Sequence, residues 1–346
     1  MILSLIMLFL SLVMMTIGAE FIVRGGIGLA RRLGLSTFFI GLTVVGFGTS
    51  APELAATVGS AIKGHGEIAI GNVVGSNIMN IALVMAAAAI LMPIPVKVSV
   101  LRKEVFLVIA VSFIPYASLV SGGSLLWWQG VLMVIGMAWF LYASYRHARV
   151  SGGTTIEPIE VPGTMRKQAS GVPGSVILLL VGLVALAFGS NVLVDSAVDL
   201  ARGMGVSELV IALTIVAGGT SAPEFTTAVI AGLRGESDIG IGNLLGSCIF
   251  NLLGVLGITC MVAPVPVPEQ VLWLDAPVMI LVAVMCAPIM FTGSRISRAE
   301  GGLLLGVFCL YIASLLMIAS GVFSLQGGSS TETDSIQPPP STTSPS

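Results

Sequence analysis

Charge is what this sequence has least of: Asp, Glu, Lys and Arg make up 9% of its 346 residues, while hydrophobic residues make up 55% and mean hydropathy is +1.04. A chain of that balance has lipid as its solvent, which excludes a soluble domain and makes it a polytopic membrane protein. Its two histidines, His65 and His147, fall in connecting segments. An intramembrane hydrolase built on Ser50 or Ser221 therefore has no histidine base in reach, and the chain reads as a non-enzyme with no cofactor. Cys248, Cys260, Cys286 and Cys309 show no CxxC or Cys/His spacing, which excludes a zinc site and a disulfide framework and leaves them as small buried hydrophobes. There is no basic cluster to bind nucleic acid, and nothing indicates a protein partner. The net charge of −2 says little, because in a membrane protein the placement of basic residues matters more than their sum.

Apolar stretches of about 20 residues predict ten spans, at 2–23, 36–62, 67–92, 104–121, 124–145, 173–198, 207–233, 238–262, 271–291 and 300–322. The first run lacks the basic leading residues of a signal peptide and reads as a membrane helix. The polar stretch 147–172 divides the spans five and five, giving a first repeat over 1–146, a linker, and a second repeat over 173–323. Residues 324–346 hold almost no hydrophobes and are expected to be disordered. With the N-terminus outside, 13 of the 15 Lys and Arg residues fall on one side, all but Lys63 and Arg202. That asymmetry predicts a multi-pass inner-membrane protein with a cytoplasmic 147–172 loop and both termini external.

The hexapeptide Gly-Thr-Ser-Ala-Pro-Glu occurs twice, ending at Glu53 and at Glu224. Sliding the chain by the 171 positions between them aligns 18–80 with 189–251 without a gap, with about 27 of 63 positions identical. Five spans is an odd number, so the second repeat enters the membrane from the opposite face. Inverted repeats of this kind build secondary transporters that hold substrate near the midplane, although duplicated folds also build channels.

Each hexapeptide places helix breakers beside a carboxylate in an apolar segment. Pro52 has no N–H for the carbonyl of Gly48, and bare carbonyls at membrane depth are tolerated only where they line a cavity or site. An ionised side chain there is a functional candidate by default. Thr49, Ser50 and Glu53, mirrored by Thr220, Ser221 and Glu224, form an all-oxygen set of the kind hard cations such as Na⁺ and Ca²⁺ prefer. One divalent ion would neutralise the two carboxylates. In the following span Asn72, Ser76 and Asn80 share a helix face, as do Asn243, Ser247 and Asn251 in the second copy. Ion contact and helix-to-helix bonding are equally open for Asn72, Asn77 and Asn243, and Cys248 stands where Asn77 has its counterpart. Gly71 with Gly75, and Gly242 with Gly246, predict close approach of a neighbouring helix. Glu20, Asp195 and Asp199 are not preserved by the repeat and are expected at helix ends or access vestibules.

These paired segments, two GTSAPE copies each followed by GNxxGS, resemble the two alpha-repeats of the cation/calcium exchanger superfamily, most closely its prokaryotic sodium/calcium branch. The resemblance implies an all-α polytopic membrane protein, ten transmembrane helices in two inverted five-helix repeats, with helices broken at the ion site. It implies an antiporter exchanging Ca²⁺ for Na⁺, three Na⁺ per Ca²⁺, with both ions as transported substrates. Glu53 and Glu224 would be the shared carboxylates, with backbone oxygens of Thr49 and Thr220 completing the Ca²⁺ site. Ser50, Ser76, Ser221 and Ser247, with the carbonyls of Gly46 and Ala217, would form flanking Na⁺ sites, and Asn80 and Asn251 the central polar pair. The first and sixth spans resemble helices that slide to alternate access. Many exchangers carry aspartate where this chain has Asn251, so the site here would hold two carboxylates, and the potassium-cotransporting branch is less similar. The short linker leaves no room for the calcium-binding regulatory domains of animal exchangers. A proton/calcium exchanger is the alternative; that branch usually carries Asn-Ala where this chain has Thr-Ser before the glutamate.

Overall fold

The computed structural model describes residues 2–96, 98–151, 171–204, 217–292 and 295–319. The expected tail at 324–346, most of the linker and the first half of the seventh span lie outside them.

Two helices are longer than their apolar runs. Helix α1 (Ile2–Leu33) and helix α7 (Gly171–Gly203) have 32 and 33 residues, where hydropathy predicts spans ending at 23 and 198. At 1.5 Å per residue each is about 48 Å long, against roughly 30 Å of hydrocarbon. Arg24, Arg31 and Arg32 ride on α1 rather than ending it. Basic residues suit the negative end of the helix dipole, and the stop comes at Gly34, whose φ of 65° takes the chain out of the helix.

The two long helices pack antiparallel along a seam of small residues. The α-hydrogen side of Gly18 faces the Gly182 carbonyl, Gly25 faces the Ser175 carbonyl, and Gly189 faces Met15 and the Ser11 carbonyl. Ser11, Gly18 and Gly25 are seven apart, as are Ser175, Gly182 and Gly189, so one heptad stripe lies on the other. The shift of 171 carries Ser11 onto Gly182 and Gly18 onto Gly189, so the seam is its own pseudo-symmetry mate.

Helix α2 (Thr37–Thr49) and helix α3 (Ala51–Ile62) are one span bent by 42° at Ser50. Helix α4 (Gly66–Leu91) follows, then α5 (Leu101–Ser121) and α6 (Trp127–Ala148). After α7 come a helical turn at Ala217–Thr220, helix α8 (Ala222–Leu233), α9 (Ser237–Val262), α10 (Val271–Phe291) and α11 (Arg298–Ile318). Eight of these elements, or nine with the bent pair, are long and apolar enough to cross a membrane, and α8 with its preceding turn is the described part of the seventh predicted span.

Helices α4 and α9 are the most buried spans, and α9 lies directly on the α2 backbone. A Cβ at Gly242 would come within 2.6 Å of the Phe38 carbonyl oxygen, and one at Gly46 within 3.2 Å of the Ser247 nitrogen. The expected close approach thus holds for Gly242 and Gly246. Gly71 and Gly75 have no such neighbour within 4 Å among the described residues. Both central helices widen to π-helix at matched positions, Met79–Met85 and Phe250–Val255. Such widenings often mark functional sites, and each starts one residue before Asn80 or Asn251.

Two short ladders join the repeats. Strand β1 (Ile94–Pro95) pairs with β4 (Arg295–Ile296), and β2 (Ser124–Leu125) with β3 (Val265–Pro266), all antiparallel. Adding 171 to Ile94 and Leu125 gives Val265 and Ile296, so each ladder is the other's mate and the duplication extends well past Asn251.

Candidate cation site

Each broken helix restarts in the same way. Ser50 has φ −82° and ψ 1°, Ser221 has φ −89° and ψ 5°, and a proline in the first turn of α3 and of α8 follows each. Proline fits there because a first-turn residue needs no N–H partner. Glu53 and Glu224 then fall in the first turns of α3 and α8, at the positive ends of the helix dipoles, where a carboxylate is favoured. Both are buried, at 3% and 1% exposure, and near enough to repel each other.

Around Glu224 the structure draws groups from both repeats. The Thr49 hydroxyl donates to Asn243 Oδ1 at 3.0 Å and lies 3.3 Å from Ser247 Oγ. Ser247 Oγ lies 3.4 Å from the Gly46 carbonyl oxygen and 3.5 Å from Glu224 Oε1. Gly46, Thr49, Ser247 and Glu224 are thus one cluster, with Asn243 a member by its bond to Thr49. On the other side Asn72 Nδ2 donates to Thr57 Oγ1 at 2.9 Å, a bond within the first repeat that resolves Asn72 toward helix bonding. Ser76 is buried on α4, Thr220 is half-buried, and Ala217 opens the turn that leads to Ser221.

Asn80 and Asn251 lie close to the midpoints of α4 and α9. Asn251 Nδ2 donates to Asn77 Oδ1 at 3.3 Å, and Asn77 Nδ2 donates to the Cys248 carbonyl at 3.3 Å. At the mated position the Asn80 amide lies against the Cys248 sulfur.

Buried polar atoms in folded proteins almost always have partners. Among the described residues nine buried side-chain atoms lack a hydrogen-bond partner: Ser50 Oγ, Glu53 Oε2, Asn80 Oδ1, Ser221 Oγ, Glu224 Oε2 and Asn251 Oδ1 fall three to each repeat and each is the mate of another, while Glu104 Oε2, Thr227 Oγ1 and Asn243 Nδ2 have no mate in the set. Oxygen atoms able to accept, left unmated in symmetric pairs around two carboxylates, form a donor set for a hard cation. Among the described residues no cluster of three or more His, Cys, Asp or Glu side chains occurs, so neutral oxygens would have to supply the remaining ligands.

Of the two expected places, a helix end or an access vestibule, Glu20 does not occupy the first: it lies inside α1 and faces the end of α8. Its carboxylate accepts from Arg24 Nε at 2.6 Å and from Arg234 Nε at 2.8 Å, which ties α1 to the end of α8 on the arginine-rich face. The mates of Glu20 and Arg234 are Asn191 and Lys63, so this tie has no counterpart on the opposite face. A partly exposed ion pair contributes about 0.2–1 kcal/mol, so Glu20→Gln is expected to change exchange rate by no more than about fivefold. Labelling of a cysteine placed at Gly232 should rise in that variant; unchanged labelling would show that the pair does not hold this face shut.

Sequence reading also missed two buried acids. Asp275 on α10 accepts from Tyr311 Oη at 3.1 Å, and its mate Glu104 on α5 is buried where the Tyr311 position is Phe140. The same shift of 171, carried beyond Asn251, would have paired them.

The profile of the family described as sodium/calcium exchanger protein matches residues 3–146 and 174–317. Inner membrane protein YrbG of Escherichia coli is 31% identical over 323 residues, spanning 92% of this chain and 98% of YrbG. The sodium/calcium exchanger MaX1 of Methanosarcina acetivorans is 29% identical over 90% of this chain and 98% of its own. The solved structure of the sodium-calcium exchanger NCX_Mj soaked with zero Na⁺ and Ca²⁺ superposes with a TM-score of 0.76 at 27% identity, covering 91% of this chain and 99% of that one.

Proposed function

This chain belongs to the sodium/calcium exchanger protein family, and from that premise we propose that it expels Ca²⁺ in exchange for Na⁺ by alternating access. The observation that carries the reading is the symmetric set of six unpartnered buried oxygens, two of them on carboxylates. Ca²⁺ would be held by Glu53 and Glu224 with backbone oxygens of Thr49 and Thr220. Three Na⁺ would use the same carboxylates with Ser50, Ser76, Ser221, Ser247 and the carbonyls of Gly46 and Ala217. Asn80 and Asn251 would lie between them. Ca²⁺ and the three Na⁺ would exclude each other because they would share Glu53 and Glu224 as ligands, and all four ions together would leave a charge of about +3 in a low dielectric. Mutual exclusion on one site is what couples one ion's exit to the other's entry.

The arginine-rich face, with Arg24, Arg31, Arg32 and Arg234, is assigned to the cytoplasm in the cell membrane. The Glu20–Arg234 tie joins α1 to the end of α8 on that face. The long antiparallel pair α1 and α7 is the element that would move, since its glycine seam makes it one body.

Calcium flux into proteoliposomes under separately imposed Na⁺, K⁺ and proton gradients tests the coupling. Uptake driven by Na⁺ loaded inside, and by neither of the other gradients, is expected. Uptake that follows a pH gradient and ignores Na⁺ would assign the chain to proton/calcium exchange.

A further inference from the structure

The two central amides differ in how they are held. The Cys248 carbonyl can only accept a hydrogen bond, so Asn77 must turn its Nδ2 toward it. That turns Asn77 Oδ1 toward Asn251, which must answer with its own Nδ2, and Asn251 Oδ1 is left buried and unpartnered. A backbone carbonyl thus fixes the direction of a two-amide relay, independent of the ambiguity that otherwise attends amide orientation. At the mated position the group that the Asn80 amide meets among the described residues is the Cys248 thiol, which is both a weak donor and a weak acceptor and imposes no direction.

We propose that Asn77 is a positioning residue that locks the Asn251 carbonyl oxygen toward the transported cation, while Cys248 leaves the Asn80 amide free to turn. The inference rests on the cation site proposed above. A locked acceptor is preorganised and loses no orientation on binding; a free one must be turned by the ion. One half of the site is therefore set before an ion arrives and the other adapts, as suits a site that accepts ions of two different charges in turn.

The test moves the lock. Asn77→Cys removes it from Asn251, and Cys248→Asn in the same chain creates it on Asn80, with the residue 77 carbonyl as the fixed acceptor. Equilibrium ⁴⁵Ca²⁺ binding and its displacement by Na⁺ are measured on purified full-length protein, with thermal melting to establish folding. Asn77→Cys is expected to weaken Ca²⁺ binding about tenfold, the effect of one oriented hydrogen bond, and the double variant to return within about threefold of wild type. Rescue by a change at the opposite position is not expected of a residue that only packs. If Asn77→Cys does not fold, the double variant alone decides, by wild-type-like Ca²⁺ affinity or its loss. Unchanged affinity in folded Asn77→Cys, or a double variant no better than that single, overturns the relay and leaves the cation site standing. Wild-type protein that binds no Ca²⁺ saturably overturns both.

Discussion

Glu53→Gln and Glu224→Gln proteins are expected to fold and to transport no Ca²⁺. The amide keeps the volume and one acceptor oxygen of each side chain, so packing around the first turns of α3 and α8 is preserved. What it removes is half of the negative charge facing a divalent ion. Removing one member of a buried ion pair costs about 3–5 kcal/mol, because the other charge is left uncompensated, and that is a loss of two to three or more orders of magnitude in affinity. Without Ca²⁺ the variants should melt no lower than wild type, since one of two mutually repelling carboxylates is gone. With Ca²⁺ the wild type alone should gain in melting temperature, as a ligand stabilises only the state that binds it. Calcium flux in either variant comparable with wild type would remove that glutamate from the primary site.

Gly246→Val is expected to lose both stability and exchange. A Cβ there falls on the Leu42 carbonyl oxygen and within 2.9 Å of the Leu42 carbonyl carbon. These are backbone atoms and cannot rotate away, so α9 must separate from α2. Overpacking of this kind costs about 1–3 kcal/mol, and more where backbone must move. Gly246 adjoins Ser247, so the displacement also pulls Ser247 Oγ from Gly46 and Thr49. Gly306→Val on α11, where no neighbour lies within 4 Å, is the control and should melt near wild type. A Gly246→Val protein with wild-type melting and transport would show that the contact between α9 and α2 is not tight.

The duplicated carboxylates, the helix breaks and the span plan were legible in the sequence because a repeat converts a local oddity into a matched pair. Glu53 and Glu224 stood out by being expensive in lipid and present twice. The Asn77 to Asn251 bond was not legible, since its partners lie in different repeats and the mate of Asn77 is a cysteine. Asn243 gave no sign of reaching Thr49 for the same reason: spacing along one helix reports only that helix's face. The end of α1 was misplaced because hydropathy falls at Arg24 while the backbone continues to Gly34. The seam between α1 and α7 was present as heptads of Ser and Gly, but in a membrane span small residues look like any other part of the apolar run.

The amide at Asn251 has an electrical consequence. Two carboxylates around one Ca²⁺ make a neutral unit, and around three Na⁺ a unit of charge +1. In the proposed exchange of three Na⁺ for one Ca²⁺, the calcium-loaded site would then cross without sensing the membrane voltage, and the sodium-loaded site would carry the whole current of the cycle. Each 100 mV, negative inside, would add about 2.3 kcal/mol to the proposed inward Na⁺ movement and so to calcium expulsion, roughly fiftyfold in the gradient that can be held. An ionised aspartate at that position would reverse the arrangement, making the sodium limb silent and the calcium limb work with or against the field. On that proposal a single amide nitrogen would decide which half of the cycle is the generator.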